Sequence, residues 1–421
     1  MALVKEFSAL RFTDKTGEIG QLCCPPYDII SDTEKEDYLK KNPHNIINLE
    51  LPPQSEDGYS RAAARTREWI KDGILAKDKT PALYIYEEKF TVKGKQYAFK
   101  GFTAYVKLEE FEKGVVLPHE ETLSKAKADR FNLLNATGCS FSQIYSLYND
   151  EKGETEALIN ELSAGAPDQT FTDNDGVTHN LWIAEKSEKT EKICRQFDNR
   201  KLYIADGHHR YETGLNFRNY LREKGIECDN ADYIMMFLVN LENDGLVVFP
   251  THRIVRDLPD FDRDELLKKC EKYFTVETLN IAECEQELDK KYKDNKISFV
   301  FYDGDIARLL TLRTTDVLEE LFPEKSKALR NLDVSVLHSL ILEDVFGIDK
   351  ENMAKQINLT YTRSLDEAIS AAEGYADCCF LLNPTRISEI ADVAAAGEKM
   401  PQKSTYFYPK LITGLTLNKI K

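Results

Sequence analysis

The sequence predicts a mixed α/β (α+β) protein, and three features of the 421-residue chain support this prediction. Short β-branched and aromatic runs alternate with segments of helical periodicity. Glycine-containing turns, around Gly94 and around Gly304, separate pairs of β-rich runs as in β-hairpins. The chain is also long enough for two or three domains.

Residues 1–110 are predicted to form an N-terminal α/β region. Ser31 followed by acidic residues is typical of a helix start, and residues 58–74 predict a longer helix. Residues 83–88 and 97–108 then predict the two strands of a hairpin.

Residues 111–258 are predicted to form a core in which strands and helices alternate. Helical patterns lie at 121–136, 154–162, 189–197 and 211–224, and strand patterns at 144–148, 179–184, 201–205 and 232–241. The turn after residue 241 predicts that 245–249 forms a hairpin with the preceding strand.

Residues 259–421 are predicted to form a C-terminal α/β lobe, with the boundary near Pro259. Residues 260–293 have a helical period, and 297–302 with 307–312 predict a further hairpin. Mostly helical segments are expected up to residue 395. The proline-rich and aromatic segment from Met400 excludes a helix there.

Composition and net charge argue against some classes of protein function. The net charge of −16 argues against sequence-independent binding to nucleic acid, although a local basic pocket could still bind an anion. Nine scattered cysteines and an N-terminus without a long apolar core predict reduced thiols in a cytoplasmic protein. No apolar run approaches the roughly 20 residues that span a bilayer.

The most informative segment is Asp206-Gly207-His208-His209-Arg210, which joins a strand to a helix predicted from Tyr211. Such turns can hold an anion on backbone N–H groups. Asp206 could bind Mg²⁺, and Arg210 could neutralise phosphate oxygens. The two histidines could donate hydrogen bonds to phosphate or anchor the turn. A complete zinc ligand set is missing from the sequence pattern, so metal-bound phosphate ranks above zinc.

A second segment is Pro118-His119-Glu120, followed by Asp129-Arg130 on a predicted helix. The Glu120 carboxylate could accept a proton from an alcohol or hold a cation. Alternatively, Glu120 and Glu121 simply favour the first turn of a helix. Asp129 and Arg130 are candidates for a solvated pair, an internal clamp or a phosphate contact.

A third segment runs from Met400 to Lys410 and offers Lys403, Ser404 and Thr405 between prolines. It could form a phosphate or carboxylate nest, or it could pack its aromatic residues onto the core. Two further segments are weaker candidates. Tyr27-Asp28 could lie at a pocket rim or form a rigid turn, and His252-Arg253 could contact substrate or form a structural salt bridge.

Together these segments resemble the ParB/sulfiredoxin-like superfamily, in particular its free L-serine kinases. Over residues 25–415 the chain is identified as a member of domain-of-unknown-function family 1015. The resemblance implies a ParB/sulfiredoxin-like catalytic core with large N-terminal and C-terminal additions. The separation of Glu120 and Asp206 is longer than in the compact kinases, so we expect an insertion between them.

The resemblance also implies roles for individual residues. Glu120 matches the catalytic acid-base, and Asp206 to Arg210, including Gly207, match the phosphate-transfer site. Lys403, Ser404 and Thr405 match a Pro-Lys-Thr-Thr element, with serine replacing the first threonine. His119 and Arg130, with the pair at 252–253, are the remaining candidates for substrate binding.

The expected activity is therefore phosphoryl transfer from ATP or ADP, with Mg²⁺, to a small hydroxylated metabolite such as free L-serine. An alternative is a nucleotide-binding switch that acts on a protein partner, for which a homodimer would be expected. A sulfiredoxin-type reductase is a third hypothesis. It needs a reactive cysteine beside the signature, whereas the nearest ones in sequence are Cys194 and Cys228.

Overall fold

A computed structural model describes residues 1–120, 124–259 and 261–421, with only the backbone of residues 124–126. The predicted roles of Glu121 and of the first residues of the helix at 121–136 lie outside this description. The strands are β1 (Val4–Lys5), β2 (Leu10–Phe12), β3 (Leu75–Lys77), β4 (Ala82–Val92), β5 (Lys95–Lys107), β6 (Val116–Leu117), β7 (Cys139–Ser140), β8 (Ile144–Tyr148), β9 (Gln169–Thr172), β10 (Thr178–Glu185), β11 (Leu202–Asp206), β12 (Tyr233–Asn240), β13 (Val247–Val248), β14 (His252–Val255), β15 (Phe274–Leu279), β16 (Ser298–Tyr302), β17 (Ala307–Leu312), β18 (Leu359–Thr362), β19 (Cys378–Leu382), β20 (Phe407–Tyr408) and β21 (Asn418–Lys419).

The helices connect and cover these strands. They are α1 (Ile19–Leu22), α2 (Asp32–Lys41), α3 (Ile47–Glu50), α4 (Glu56–Lys71), α5 (Ser124–Thr137), α6 (Glu154–Leu162), α7 (Glu188–Gln196), α8 (His208–Glu223), α9 (Arg263–Cys270), α10 (Cys284–Lys293), α11 (Asp316–Leu321), α12 (Lys327–Arg330), α13 (Asp333–Val336), α14 (Lys350–Lys355), α15 (Leu365–Gly374) and α16 (Ile387–Ala395). A π-helix, Leu337–Glu343, continues α13. The predicted mixed α/β class is confirmed.

The described chain forms two compact units. The first contains residues 1–118, 124–246 and 409–421, and the second contains residues 119–120, 247–259 and 261–408. The predicted division into segments 1–110, 111–258 and 259–421 stays a prediction. Among the described residues, no helix is both long and apolar enough to cross a membrane.

The first unit is built on a mixed sheet with the strand order β6-β11-β8-β12-β5-β4-β10-β9, in which β1 also pairs with β5. The hairpin β4–β5 turns at Lys93 and Gly94, both with positive φ, as the sequence predicts. Central strands such as β12 are buried on both faces. This explains their continuous apolar runs.

The second unit is built on an antiparallel sheet with the order β15-β17-β16-β19-β14-β18. Alternate residues of its strands enter two separate apolar clusters, one on each face. Within β16, for example, Phe299 and Phe301 pack into one cluster and Val300 and Tyr302 into the other.

Two local predictions are wrong. Strand β13 pairs with β20 and not with β12, so the hairpin predicted across residues 242–245 does not form. The segment 261–293, which has a helical period, contains β15 between two helices. The segment after residue 312 is mostly helical, as predicted, and also contains β18 and β19. In each case a sequence-distant partner strand supplies the hydrogen bonds, which local periodicity cannot report.

Candidate functional site

The first unit holds the Asp206–Arg210 segment at the end of β11 and the start of α8. Helix α8 begins at His208, three residues before the predicted start. Gly207 is its N-cap and has a left-handed φ of 94°. The first-turn N–H groups of a helix have no intrahelical acceptor, and together with the helix dipole they favour an anion.

Two features favour glycine at position 207. Its φ lies in the region that residues with a Cβ rarely adopt. In addition, a Cβ here would lie 2.9 Å from Nη2 of Arg210, so that the guanidinium would have to shift away from the turn. The glycine therefore lets the guanidinium of Arg210 fold back against the turn.

Asp206 is oriented by an irregularity in the sheet. The pairing of β11 with β8 shifts after Ile204, so that Asp206 lies opposite Tyr145. Such bulges redirect a side chain at the end of a strand.

Two cations share the Asp206 carboxylate. Arg210 Nη2 lies 2.6 Å from Oδ2, and Lys410 Nζ lies 2.5 Å from Oδ1. Burial favours the neutral acid, but Lys410 and then Arg210 outweigh this effect and hold the pKa of Asp206 well below its usual range. One carboxylate therefore orients two cations at the N-terminus of α8.

This arrangement does not fit a protein-held magnesium ion. Both oxygens of Asp206 are engaged by cations. The described residues also contain no group of three or more histidine, cysteine or acidic side chains arranged to hold a metal. The role of Asp206 as a Mg²⁺ ligand stays a prediction.

The two histidines of the segment differ in environment. His208 is 4% exposed, whereas His209 is half-buried. Burial lowers the pKa of His209, although Asp28 and Glu212 act in the opposite direction. A neutral imidazole at this place can donate one hydrogen bond and accept another.

Arg130 is an internal clamp in the first unit. Its guanidinium lies 2.6 Å from Asp129 Oδ2, donates to the main-chain oxygen of Glu50 at 3.0 Å, and stacks 4.0 Å from the Tyr27 ring centroid. Burial raises the pKa of Glu50, although Arg130 acts against this. Substrate contact by Arg130 stays a prediction.

The second unit brings two of the predicted segments together. Glu120 pairs with Met400 in a parallel bridge, and its Oε1 accepts the Lys403 N–H at 3.1 Å. His119 is buried, and its Nε2 is hydrogen-bonded to Thr405 Oγ1 at 3.1 Å. These contacts join residues that are 280 or more positions apart in the sequence.

Ser404 has a structural contact in this turn. Its hydroxyl donates to the Pro401 carbonyl at 2.5 Å, and its own carbonyl accepts from Thr385 Oγ1 at 2.8 Å. Lys403 is exposed and has a left-handed φ of 58°. The turn thus directs the Lys403 N–H at Glu120, while phosphate binding by residues 403–405 stays a prediction.

His252 and Arg253 lie in the interior of the second unit, on β14. His252 Nδ1 accepts the Leu382 N–H at 3.1 Å, and burial followed by the Arg253 charge lowers its pKa to about 4. Arg253 is 1% exposed. No described carboxylate forms the salt bridge that the sequence left open for this pair.

Comparison with known proteins identifies the family. A family model described as "Protein of unknown function (DUF1015)" matches residues 4–335. The chain belongs to the DUF1015 family. No curated protein matches it.

Several solved structures resemble this DUF1015 protein at low identity. A conserved hypothetical protein from Pyrococcus furiosus is 14% identical, with 72% of this chain and 90% of that chain covered and a TM-score of 0.36. A free serine kinase in complex with AMP is 12% identical, with 76% and 91% covered and a TM-score of 0.39. SbnI from Staphylococcus aureus, with a C-terminal truncation, is 11% identical, with 75% and 87% covered and a TM-score of 0.37.

The sequence alone does not predict that Lys410 lies beside Asp206. Lys410 stands in the predicted C-terminal segment, but its pairing with Asp206 has no local signal, because 204 positions separate the two residues. Cys194, considered for reductase chemistry, is buried, and burial raises the pKa of its thiol to about 12. A thiol with so high a pKa is a poor nucleophile.

Proposed function

We propose that this DUF1015 protein transfers a phosphoryl group from ATP or ADP to a small hydroxylated metabolite, with free L-serine as the preferred acceptor. In this proposal a ParB/sulfiredoxin-like catalytic core carries large N-terminal and C-terminal additions. The observation that carries the proposal is the Asp206 carboxylate held between Arg210 and Lys410 at the N-terminus of α8.

The phosphate side of the reaction rests on charge and geometry. The N-terminus of a 16-residue helix presents N–H donors, and the Asp206 carboxylate holds two cations, Arg210 and Lys410, beside it. Groups fixed in this way bind phosphate oxygens without reorganising and neutralise the charge that develops during transfer. Asp206 keeps both cations oriented in this role.

The acceptor side rests on the resemblance of Pro118-His119-Glu120 to the kinase motif. Glu120 takes the hydroxyl proton, and the Lys403 N–H holds its Oε1 in place. The acceptor oxygen forms a bond to the terminal phosphorus, and the bond from that phosphorus to the bridging oxygen breaks. The nucleotide leaves with one phosphate fewer, and O-phosphoserine is the other product when serine is the acceptor.

The test is phosphorus NMR of the full chain with Mg²⁺ and L-serine, with ATP and ADP in separate samples. A phosphomonoester signal that matches O-phosphoserine is expected with one of the two donors. Glu120→Gln should abolish this signal and leave nucleotide binding nearly intact. Glu112→Gln is the matched control, because Glu112 is an exposed acidic residue shortly before Glu120 in the sequence. This variant should keep the wild-type rate.

Three outcomes would change the assignment. A wild-type rate in Glu120→Gln would remove its role as the base. Nucleotide consumption without O-phosphoserine would keep phosphoryl transfer and replace the acceptor. Nucleotide-dependent dimerisation without consumption of either donor would favour the nucleotide-binding switch.

A further inference from the structure

The second unit contains a cavity of about 290 Å³ that none of the predicted roles uses. Its wall comes from α12, α13, the π-helix, α14, β18 and the segment 399–402. A volume of this size suits a small metabolite. A π-helix is rare and is frequently found at functional sites.

One corner of the cavity contains a buried hydroxyl that has no hydrogen-bond partner among the described residues. Ser335 lines the cavity, is 5% exposed, and its Oγ makes no hydrogen bond there. An unpaired buried hydroxyl costs about 1–3 kcal/mol, so proteins seldom keep one without a reason. The Oγ itself has almost no exposed area, so a ligand oxygen in the cavity supplies the missing partner once the Ser335 side chain rotates about χ1 towards the cavity.

His338 lines the same cavity and supplies a second donor. Arg253 Nη2 lies 3.2 Å from its Nε2. Since a guanidinium can only donate, Nε2 must accept, and the ring proton is therefore on Nδ1. Burial and the Arg253 charge lower the pKa of His338, so the ring stays neutral and keeps this tautomer.

The charge behind His338 favours an anion. Arg253 is 1% exposed and donates to the carbonyls of Thr251 and Lys403, yet it pairs with no described carboxylate. Burial lowers its pKa to about 10, as expected for a cation without a counter-charge. An anion beside His338 would reduce the cost of burying this charge.

The remaining lining fixes the class of anion. Lys325, Lys350 and Lys399 outnumber the single acid of the lining, Glu343. The lining also contains apolar side chains, among them those of Leu329, Met353 and Met400. A ligand that satisfies both parts carries an oxyanion and an apolar group.

We propose that this cavity binds a small organic anion, a carboxylate or phosphate monoester with an apolar part, through Ser335 and His338. The proposal concerns binding alone and is independent of phosphoryl transfer.

Isothermal titration calorimetry of the full chain with sodium butyrate and with phenyl phosphate tests it. At least one probe should bind saturably, and Ser335→Ala should weaken that binding about five- to tenfold, the loss of one hydrogen bond. Thr360→Val is the matched control. It also removes a buried hydroxyl that lacks a partner among the described residues, but this hydroxyl does not line the cavity. The control should bind as the wild type does.

Tighter butyrate binding would identify a carboxylate ligand, and tighter phenyl phosphate binding a phosphate ester. Saturation by neither probe, or equal weakening in Ser335→Ala and Thr360→Val, would overturn the proposal. Should Ser335→Ala fail to fold, NMR of the histidine rings in the wild type gives the same decision. The probe should shift the His338 ring signals and leave those of His179, in the first unit, unchanged.

Discussion

Lys410 Nζ lies 2.5 Å from Asp206 Oδ1, although 204 positions separate the two residues in the chain. The lysine side chain is 10% exposed and the aspartate 18%, so the pair is largely shielded from solvent. Arg210 holds the second oxygen of the same carboxylate. Three charged groups from two distant segments thus define the N-terminal end of α8.

We expect Lys410→Met to raise the pKa of Asp206 towards its ordinary value, because the cation with the largest effect is removed. Nucleotide binding should weaken about tenfold, equivalent to about 1.4 kcal/mol. Isothermal titration calorimetry with ATP and with ADP measures this change in affinity. Lys100→Met, in the same unit and paired with Glu87, is the control and should bind as the wild type does. Equal affinities in the two variants would contradict a phosphate-binding role.

Gly207→Ala should lower the free energy of unfolding by more than the roughly 1 kcal/mol expected from backbone strain alone. The added Cβ also collides with the Arg210 guanidinium. Gly225→Ala is the matched control, since Gly225 has a φ of 66° and no atom within 4 Å of the added Cβ. Urea unfolding of both variants gives the comparison. If both lost the same stability, close packing of Arg210 on Gly207 would be wrong.

Two substitutions of Lys403 separate the effect of its side-chain charge from the effect of its backbone conformation. Its φ of 58° favours glycine, so Lys403→Gly should be about 1 kcal/mol more stable than Lys403→Ala. Both variants should lose the same fraction of phosphoryl transfer if the ammonium group matters. Activity retained by Lys403→Gly alone would instead assign the effect to the turn that holds Glu120.

Gln356→Gly is the control for this pair. Gln356 also has a left-handed φ, of 52°, and lies in the same unit. The substitution should raise the free energy of unfolding and leave activity unchanged. Thermal unfolding and the phosphorus NMR assay together separate these effects.

His179 should make stability depend on pH. Tyr86 donates to Glu88 at 2.6 Å, so its oxygen accepts from His179 Nδ1, while Nε2 is hydrogen-bonded to Asp173 at 3.1 Å. Both ring nitrogens therefore carry protons. Burial opposes the charge, but Asp173 and Glu88 outweigh it and raise the pKa of His179 to about 9.

A raised pKa in the folded state stabilises the protein fully below the unfolded value of about 6.5, and this stability is lost as pH rises through about 9. The loss should be about 3 kcal/mol in the wild type and absent in His179→Gln. Urea unfolding at a series of pH values measures it. His44→Gln, outside this network, should follow the wild-type curve, and a wild type without this loss would rule out the charged imidazole.

Much of the fold could be predicted because its signals are local. Ser31 caps α2 and forms a capping box with Glu34 three residues later, and β8 and α6 have the predicted bounds. The glycine turns place the hairpins β4–β5 and β16–β17 where they were expected. The start of α8 was placed three residues late, since polar residues at 208–210 carry no apolar periodicity.

The sequence by itself determined the elements and the chemistry of the candidate residues, because caps, turns and side-chain type act within a few residues. Only the tertiary structure decided which of them meet. It placed Lys410 against Asp206, joined Glu120 to the Lys403 turn, and buried Arg253 beside His338. Each of these contacts joins residues that are far apart in the sequence. Bringing them together costs chain entropy, which is recovered only when the rest of the unit folds around them.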